Sequence, residues 1–418
     1  MNNASGLVPR STRYLVFLVL FLIVNEIYDT YTTQYPSIIV DLVIDEFSLQ
    51  QGQYSFLLGI ITLGTYFVFL SQYLADRIGR RIMLLVTLFG MGFASFWIGI
   101  STTPIEYTIA SFFLAIFFSS DIWTMVMIEE SPNMHRGKLV NIVLVGGCAG
   151  ALLVPMLFDA LVVSAGFSWR SMTWLAMLAM GFALLTVFVK ETRAYEALKE
   201  KRMGGMPSAR HSIGRVLSDW KEPFSLKNRA RTAIIVLLGF TIGMNYYFIL
   251  MGKEFLVRDR LFSQDGASDV ILVMGIAAIA GYLVNGFLID KIGRRKTITL
   301  FLICFPASVF LTVLGDGFFI YAGAAVVSMS FWNVGICSRI YCQELYPTRL
   351  RGQMAGWRSL FYAIGTTAGS LLGGIMLVAT SIDLGVIFVM YSLSLVIFIP
   401  IILRFLPETK GVELASMA

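Results

Sequence analysis

An all-α integral membrane protein of about twelve transmembrane helices, in two six-helix pseudo-symmetric halves, is the fold class this 418-residue sequence predicts. Three observations predict it. Hydrophobic residues make up 57% of the chain and charged residues only 14%, and the apolar residues come in runs near the length that crosses a bilayer. Basic residues crowd alternate loops, as the positive-inside rule requires. Short motifs recur at a nearly constant offset, the mark of an internal repeat.

Taken in order, the apolar runs place helix starts near Tyr14, Gln53, Ile82, Ile105, Leu139, Phe167, Thr232, Ala267, Ile298, Phe319, Met354 and Ile382. The runs Ile82 to Ile100 and Leu384 to Leu403 are unbroken. Asn25, Glu26 and Asp29 interrupt the first run, which lacks a small-residue cleavage site, so no removable signal is expected. Barrel strands would be half as long and would alternate. The polar stretch 190–231 divides the chain into an N-terminal half, 1–189, and a C-terminal half, 232–406, followed by a tail, 407–418. Its charges suit short surface helices or a disordered tether.

A net charge of +6 could point to nucleic acid, but its distribution decides otherwise. Arg10 and Arg13, then Arg77, Arg80 and Arg81, then the segment from Lys190 to Arg231, then Lys291 and Arg294 to Lys296 mark one set of loops as cytoplasmic. The alternate loops carry Asp41, Asp45, Glu46, Glu106, Asp316 and Asp383, with Lys253, Arg258 and Arg260 as the exceptions. Both termini are therefore expected inside, in a plasma or cytoplasmic membrane. Cys148, Cys304, Cys337 and Cys342 fall within or beside spans and serve as apolar filler, so neither disulfide nor metal is expected. No segment outside the membrane is long enough for a nucleotide domain and no Walker-type loop occurs, so energy must come from gradients. With no paired nucleophile and base, an enzyme is not expected, and no cofactor is implied.

LADRIGRR (Leu74 to Arg81) recurs as LIDKIGRR (Leu288 to Arg295), with Asp76 and Asp290 214 residues apart. EESPNMHRG (Glu129 to Gly137) recurs as ELYPTRLRG (Glu344 to Gly352) at an offset of 215, and Glu191-Thr192-Arg193 recurs as Glu408-Thr409-Lys410 at 217. Carrying these motifs over nearly its whole length, the chain resembles the major facilitator superfamily. The segment Tyr341 to Arg351 is similar to the organic ion and metabolite:proton symporter branches, and Pro407 to Gly411 to the sugar porter ending. The resemblance implies a secondary transporter that works by alternating access. It also implies a gating network of Asp76, Arg80, Glu129 and Arg136 in one half and Asp290, Arg294, Glu344 and Arg351 in the other, able to bond across the halves. Plain topology anchoring is the simpler role for the same charges.

Candidate binding groups are the polar residues inside spans. Glu26, Asp29 and Thr33 share one face of the first helix, with Gln34 beside it. A carboxylate there must face a cavity or a partner, or carry a proton, so Glu26 and Asp29 are candidates for proton or cation binding. Asp121 sits in the fourth span, where Ser111 replaces the arginine that commonly assists the coupling acid in similar proteins. Asn245 and Tyr246 in the seventh span and Trp332 and Asn333 in the tenth suit a cavity that stacks and hydrogen-bonds an organic solute, or else pack helices, while Arg358 in the eleventh must meet an anionic substrate or pair with an acid such as Asp29 or Asp121. Leu144 and Gly239-Phe240 stand where sugar porters typically place glutamines, which weakens a sugar reading. The expected partners are a small organic solute, protons and the lipid bilayer, with the chain acting as a monomer. A facilitative sugar or polyol carrier and a non-transporting solute receptor are the alternatives.

Overall fold

The computed structural model describes residues 10–118, 122–131, 136–193, 229–346, 348–380 and 382–409, with positions 195, 196, 199 and 224 between them. Among these the structure is helical, without strands. The elements are α1 (Thr12–Ile38), α2 (Val40–Glu46), α3 (Gln51–Thr62), α4 (Val68–Ile78), α5 (Arg80–Ile100), α6 (Pro104–Phe118), α7 (Ile122–Glu130), α8 (Arg136–Leu157) and α9 (Thr173–Ala183). They continue as α10 (Arg229–Asn245), α11 (Tyr247–Glu254), α12 (Gln264–Ile292), α13 (Arg294–Leu314), α14 (Phe318–Glu344), α15 (Thr348–Ala379), α16 (Leu384–Val396) and α17 (Phe398–Phe405). Eleven helical stretches among the described residues are long and apolar enough to cross a membrane. The twelfth, residues 51–78, is α3 and α4 joined through a 3-10 turn, Leu63–Phe67. Each expected start lies within a few residues of a helical start, the largest offset being Met354 against Thr348.

The helices are rarely straight, for identifiable reasons. Pro36 brings no N–H to the carbonyl of Thr32 near the end of α1, and the helix breaks at Ile39. Thr32 and Thr33 instead turn their hydroxyls back to the carbonyls of Tyr28 and Asp29. The seventh span breaks at Tyr246, whose N–H donates to the Gly243 carbonyl, and it ends in a wide turn, Phe255–Asp259.

The described residues form two compact units, one from Met1–Pro36 with Gly64–Arg210, the other from Ser37–Leu63 with His211–Ala418. In the first, Gly146 and Gly150 of α8 bring its backbone against the carbonyls of Ile23 and Ile27 of α1. In the second, Gly239 and Gly243 of α10 lie against the carbonyls of Arg358 and Tyr362 of α15, and Gly365 and Gly369 of α15 against those of Phe240 and Met244 of α10, a four-residue spacing of small residues that admits backbone-to-backbone packing. The segment 37–63 belongs to the first repeat by sequence yet packs in the second unit. Gly52 and Gly59 of α3 lie against Gly374, Val378 and Leu371 of α15, while Ser55 bonds Tyr247 at 2.5 Å and Thr62 bonds Thr367 at 2.9 Å.

Candidate functional site

The repeat motifs build the same charged latch twice. In the first unit Arg80, 3% exposed, begins α5 and donates from Nη2 and Nε to Glu129 at 3.0 and 3.2 Å, and from Nη1 to the Ala75 carbonyl at 3.1 Å. Glu191 accepts the backbone N–H of Arg80 at 2.9 Å and of Arg81 at 3.3 Å, capping a helix start whose donors have no other partner. Thr192 donates to Glu129, and the Arg80 guanidinium lies 5.4 Å from the Tyr195 ring. In the second unit Arg294 donates to Glu344 at 3.0 and 3.1 Å and to the Ile289 carbonyl at 3.3 Å, Glu408 accepts the N–H groups of Arg294 and Arg295 at 2.9 and 3.1 Å, and Thr409 donates to Glu344. These contacts close inside each unit. Asp290 is peripheral, 84% exposed and 3.9 Å from Arg294, so the central acids are Glu344 and Glu408. The side chains of Asp76, Arg136 and Arg351 lie outside the described residues, as does Asp121.

The sequence reading assigns Glu191 and Glu408 no role, although their common spacing from the arginines is the signal. Each caps an arginine at the turn after a glycine of positive φ, Gly79 at 112° and Gly293 at 92°. A Cβ on Gly293 would fall 2.5 Å from the Glu408 carboxylate, which two backbone N–H groups hold in place. Gly293→Ala is therefore expected to destabilise the protein by about 1–3 kcal/mol, the cost of a side chain at φ 92° and ψ 166°, a backbone region open essentially to glycine. Thermal unfolding in detergent checks this; an unchanged midpoint would mean the cap yields freely. Beside the second latch Tyr346 shares a hydrogen bond of 2.9 Å with Thr232, and burial pushes its hydroxyl up to about 12, so it remains protonated.

At the far end of α12 the basic exceptions to the charge pattern are each answered by an acid. Lys253 Nζ stands 3.5 Å from Asp41 Oδ1, their side chains 0% and 1% exposed. Arg258 pairs with Asp45 and reaches Glu254 at 3.6 Å, and Arg260 pairs with Asp316 at 2.7 Å. Gln264 donates to Asp41, and Gln51 to Glu254 at 3.1 Å. No candidate drawn from the sequence lay here, because the partners come together only through the excursion of residues 37–63.

Of the binding candidates in the second unit, Tyr246, Trp332 and Arg358 gather around Tyr362, whereas Asn333 packs against Gly281 of α12. The Tyr246 ring stacks on Phe331 at 5.9 Å and meets Trp332 and Tyr362 at 6.3 Å each. Tyr246, Trp332 and Tyr362 are half-buried, whereas Phe331 is buried. Arg358, one turn before Tyr362 on α15 and 6% exposed, donates to Ser338 at 3.4 Å and Ser359 at 3.3 Å. Asn333, fully buried, spends its NH₂ on the Met329 carbonyl at 2.8 Å, while its Oδ1 accepts nothing among the described residues. Asn245 is used elsewhere: it donates to the carbonyls of Thr241 and Tyr391 and ties α10 to α16. Tyr362 joined this group only in the structure, although its place four residues after Arg358 was a usable signal.

In the first unit Glu26 is 7% exposed, and Asp29 and Gln34 are half-buried. Gly147 makes room for Glu26, since a Cβ there would come to 3.0 Å of its Oε1. The neighbouring Tyr31 is fixed by donating to the Met172 carbonyl at 2.7 Å, and Phe21 and Tyr28 pack on Phe182.

The sequence matches the profile of the Major Facilitator Superfamily over residues 19–370 and again over 235–416. It is 26% identical over 350 residues to NiaP of Bacillus subtilis (strain 168), a protein named for niacin/nicotinamide transport, with 83% of this chain and 84% of the relative covered. It is 23% identical over 407 residues to the gallate transporter of Pseudomonas putida, covering 87% and 86%. Its fold resembles the inward-open xylose transporter XylE from E. coli with a TM-score of 0.76 at 17% identity, over 96% of this chain and 99% of that one. With its duplicated latches and eleven candidate spans among the described residues, the chain belongs to the Major Facilitator Superfamily and is an integral membrane secondary transporter, not an enzyme.

Proposed function

We propose that this protein carries a small organic ion or metabolite by alternating access, coupled to protons, as a monomer in a plasma or cytoplasmic membrane with both termini inside. The observation that carries the solute class is the trio of half-buried rings beside the buried Arg358 guanidinium. Aromatic faces suit a planar body and a guanidinium fork suits a carboxylate. The names of two relatives, for niacin/nicotinamide and for gallate, support a ring-bearing solute. Asn245 serves the site by fixing the broken seventh span. In the gating role Asp76, Arg80, Glu129 and Arg136, with Asp290, Arg294, Glu344 and Arg351, form latches that open and re-form in each cycle. The two halves, 1–189 and 232–406, are joined by the cytoplasmic linker 190–231.

Proton coupling rests on Asp29, assisted by Glu26 and Gln34, with Asp121 as a further acid in the same half. Asp29→Asn mimics the protonated state, because exchange of solute does not require the proton to leave. In proteoliposomes the variant is expected to keep exchange of niacin or gallate and to lose pH-driven accumulation. Loss of both, with binding weaker by about 1–3 kcal/mol, would instead place a cationic group of the solute on Asp29. Wild-type levels of both would leave Asp29 a buried polar residue only. In the unmodified protein, uptake without lumen acidification would favour a facilitative carrier, and binding without flux a receptor.

A further inference from the structure

Residues 37–63 leave the first repeat between two backbone irregularities, Pro36 and the 3-10 turn Leu63–Phe67, the kind of interruption that marks a hinge. Between them the segment docks on the second repeat through the small-residue seam of α3 with α15 and through the charged cluster around Asp41 and Lys253. Gln264 begins α12 in this cluster, and the Arg294 latch follows the other end of the same 29-residue helix, roughly 43 Å away. The charge pattern puts the latch inside, so the cluster lies at the outer surface.

Asp41 Oδ1 is answered by Lys253 Nζ at 3.5 Å, whereas Glu254 Oε2 and Gln264 Oε1, both buried, take no hydrogen bond among the described residues. Glu254 is 1% exposed. The groups facing it are Asp41 from α2, Gln51 from α3, Tyr247 of its own helix, and Arg258 and Asp259 from the turn after α11; Asp45 pairs with Arg258, Lys253 and Gln264 meet Asp41, and Asp383 lies near Asp259. With every group charged, the acids outnumber the bases.

We propose that Glu254 is a proton-binding site of the outer gate, and that docking of residues 37–63 closes the gate by burying Glu254 in its protonated form. One added proton turns the unbonded Glu254 oxygen into a donor and removes one negative charge from a site closed to water. The closed gate then holds one proton more than the open gate. Closure is favoured at low external pH and lost as pH rises through the closed-state value, by up to roughly tenfold per pH unit for a single proton.

The proposal rests on the alternating-access reading, and one experiment separates the two. Ser370, buried on the α15 face that meets α3, is replaced by cysteine in a full-length protein without its four native cysteines. Its alkylation rate in proteoliposomes, normalised to a fully exposed cysteine, reports outer opening. The rate is expected to rise with external pH, to stay low at every pH in Glu254→Gln, and to regain its slope in Glu254→Asp, which also controls for folding. A slope that survives Glu254→Gln, or no slope in the unsubstituted background, overturns the proton site. If niacin and gallate alter the labelling while pH does not, the proton site alone fails; if neither alters it, alternating access fails as well.

Discussion

Asp41→Asn is expected to destabilise the protein by about 3–5 kcal/mol, because Lys253 would keep a charge in a place with 0% side-chain exposure and lose the carboxylate that answers it. The amide oxygen left at position 41 still accepts from Gln264, so packing changes little and the loss reports electrostatics. Lys253→Met alone strands the aspartate and should cost a similar amount. Combined, the two substitutions should return stability to within about 1 kcal/mol of the starting protein, since neutral, well-packed groups replace a buried pair at little cost. Denaturant or thermal unfolding of the four proteins in one detergent completes the cycle. If the two losses simply add, the pair is not an energetic unit.

Arg358→Ala should weaken binding of niacin or gallate by roughly ten- to a hundredfold, the loss expected when a charge-assisted hydrogen bond of about 1.5–3 kcal/mol disappears. Arg358→Lys keeps the charge without the planar fork and should fall between. Binding is read by thermal shift against solute concentration, because a ligand held by the folded state raises its midpoint. A lowered midpoint with unaltered solute response would make Arg358 a structural residue serving Ser338, and the aromatic cluster would have to recognise the solute without it.

Local pattern made much of this legible. Span lengths and loop charges gave the helices, and the motif pairs at offsets near 215 gave Arg80 with Glu129 and Arg294 with Glu344, because the repeat preserves the spacing of residues at helix ends, but left Glu191 and Glu408 without a role. The direction of their bonding was not legible: side chains able to bridge the halves spend their described contacts inside each unit. Asn245 read as a cavity group because its polarity was visible and the Tyr391 carbonyl that satisfies it was not. The outer cluster was hidden for the same reason. Lys253 looked like an error in the topology rule, and only the fold shows that an acid from the first repeat answers it.

That pairing bears on how the chain is made. Gln51 and Asp41 leave the ribosome long before the groups they meet; 203 residues separate Gln51 from Glu254. On the proposed topology Asp41 would already stand outside when the seventh span is made, so Lys253 would meet its counter-charge on arrival.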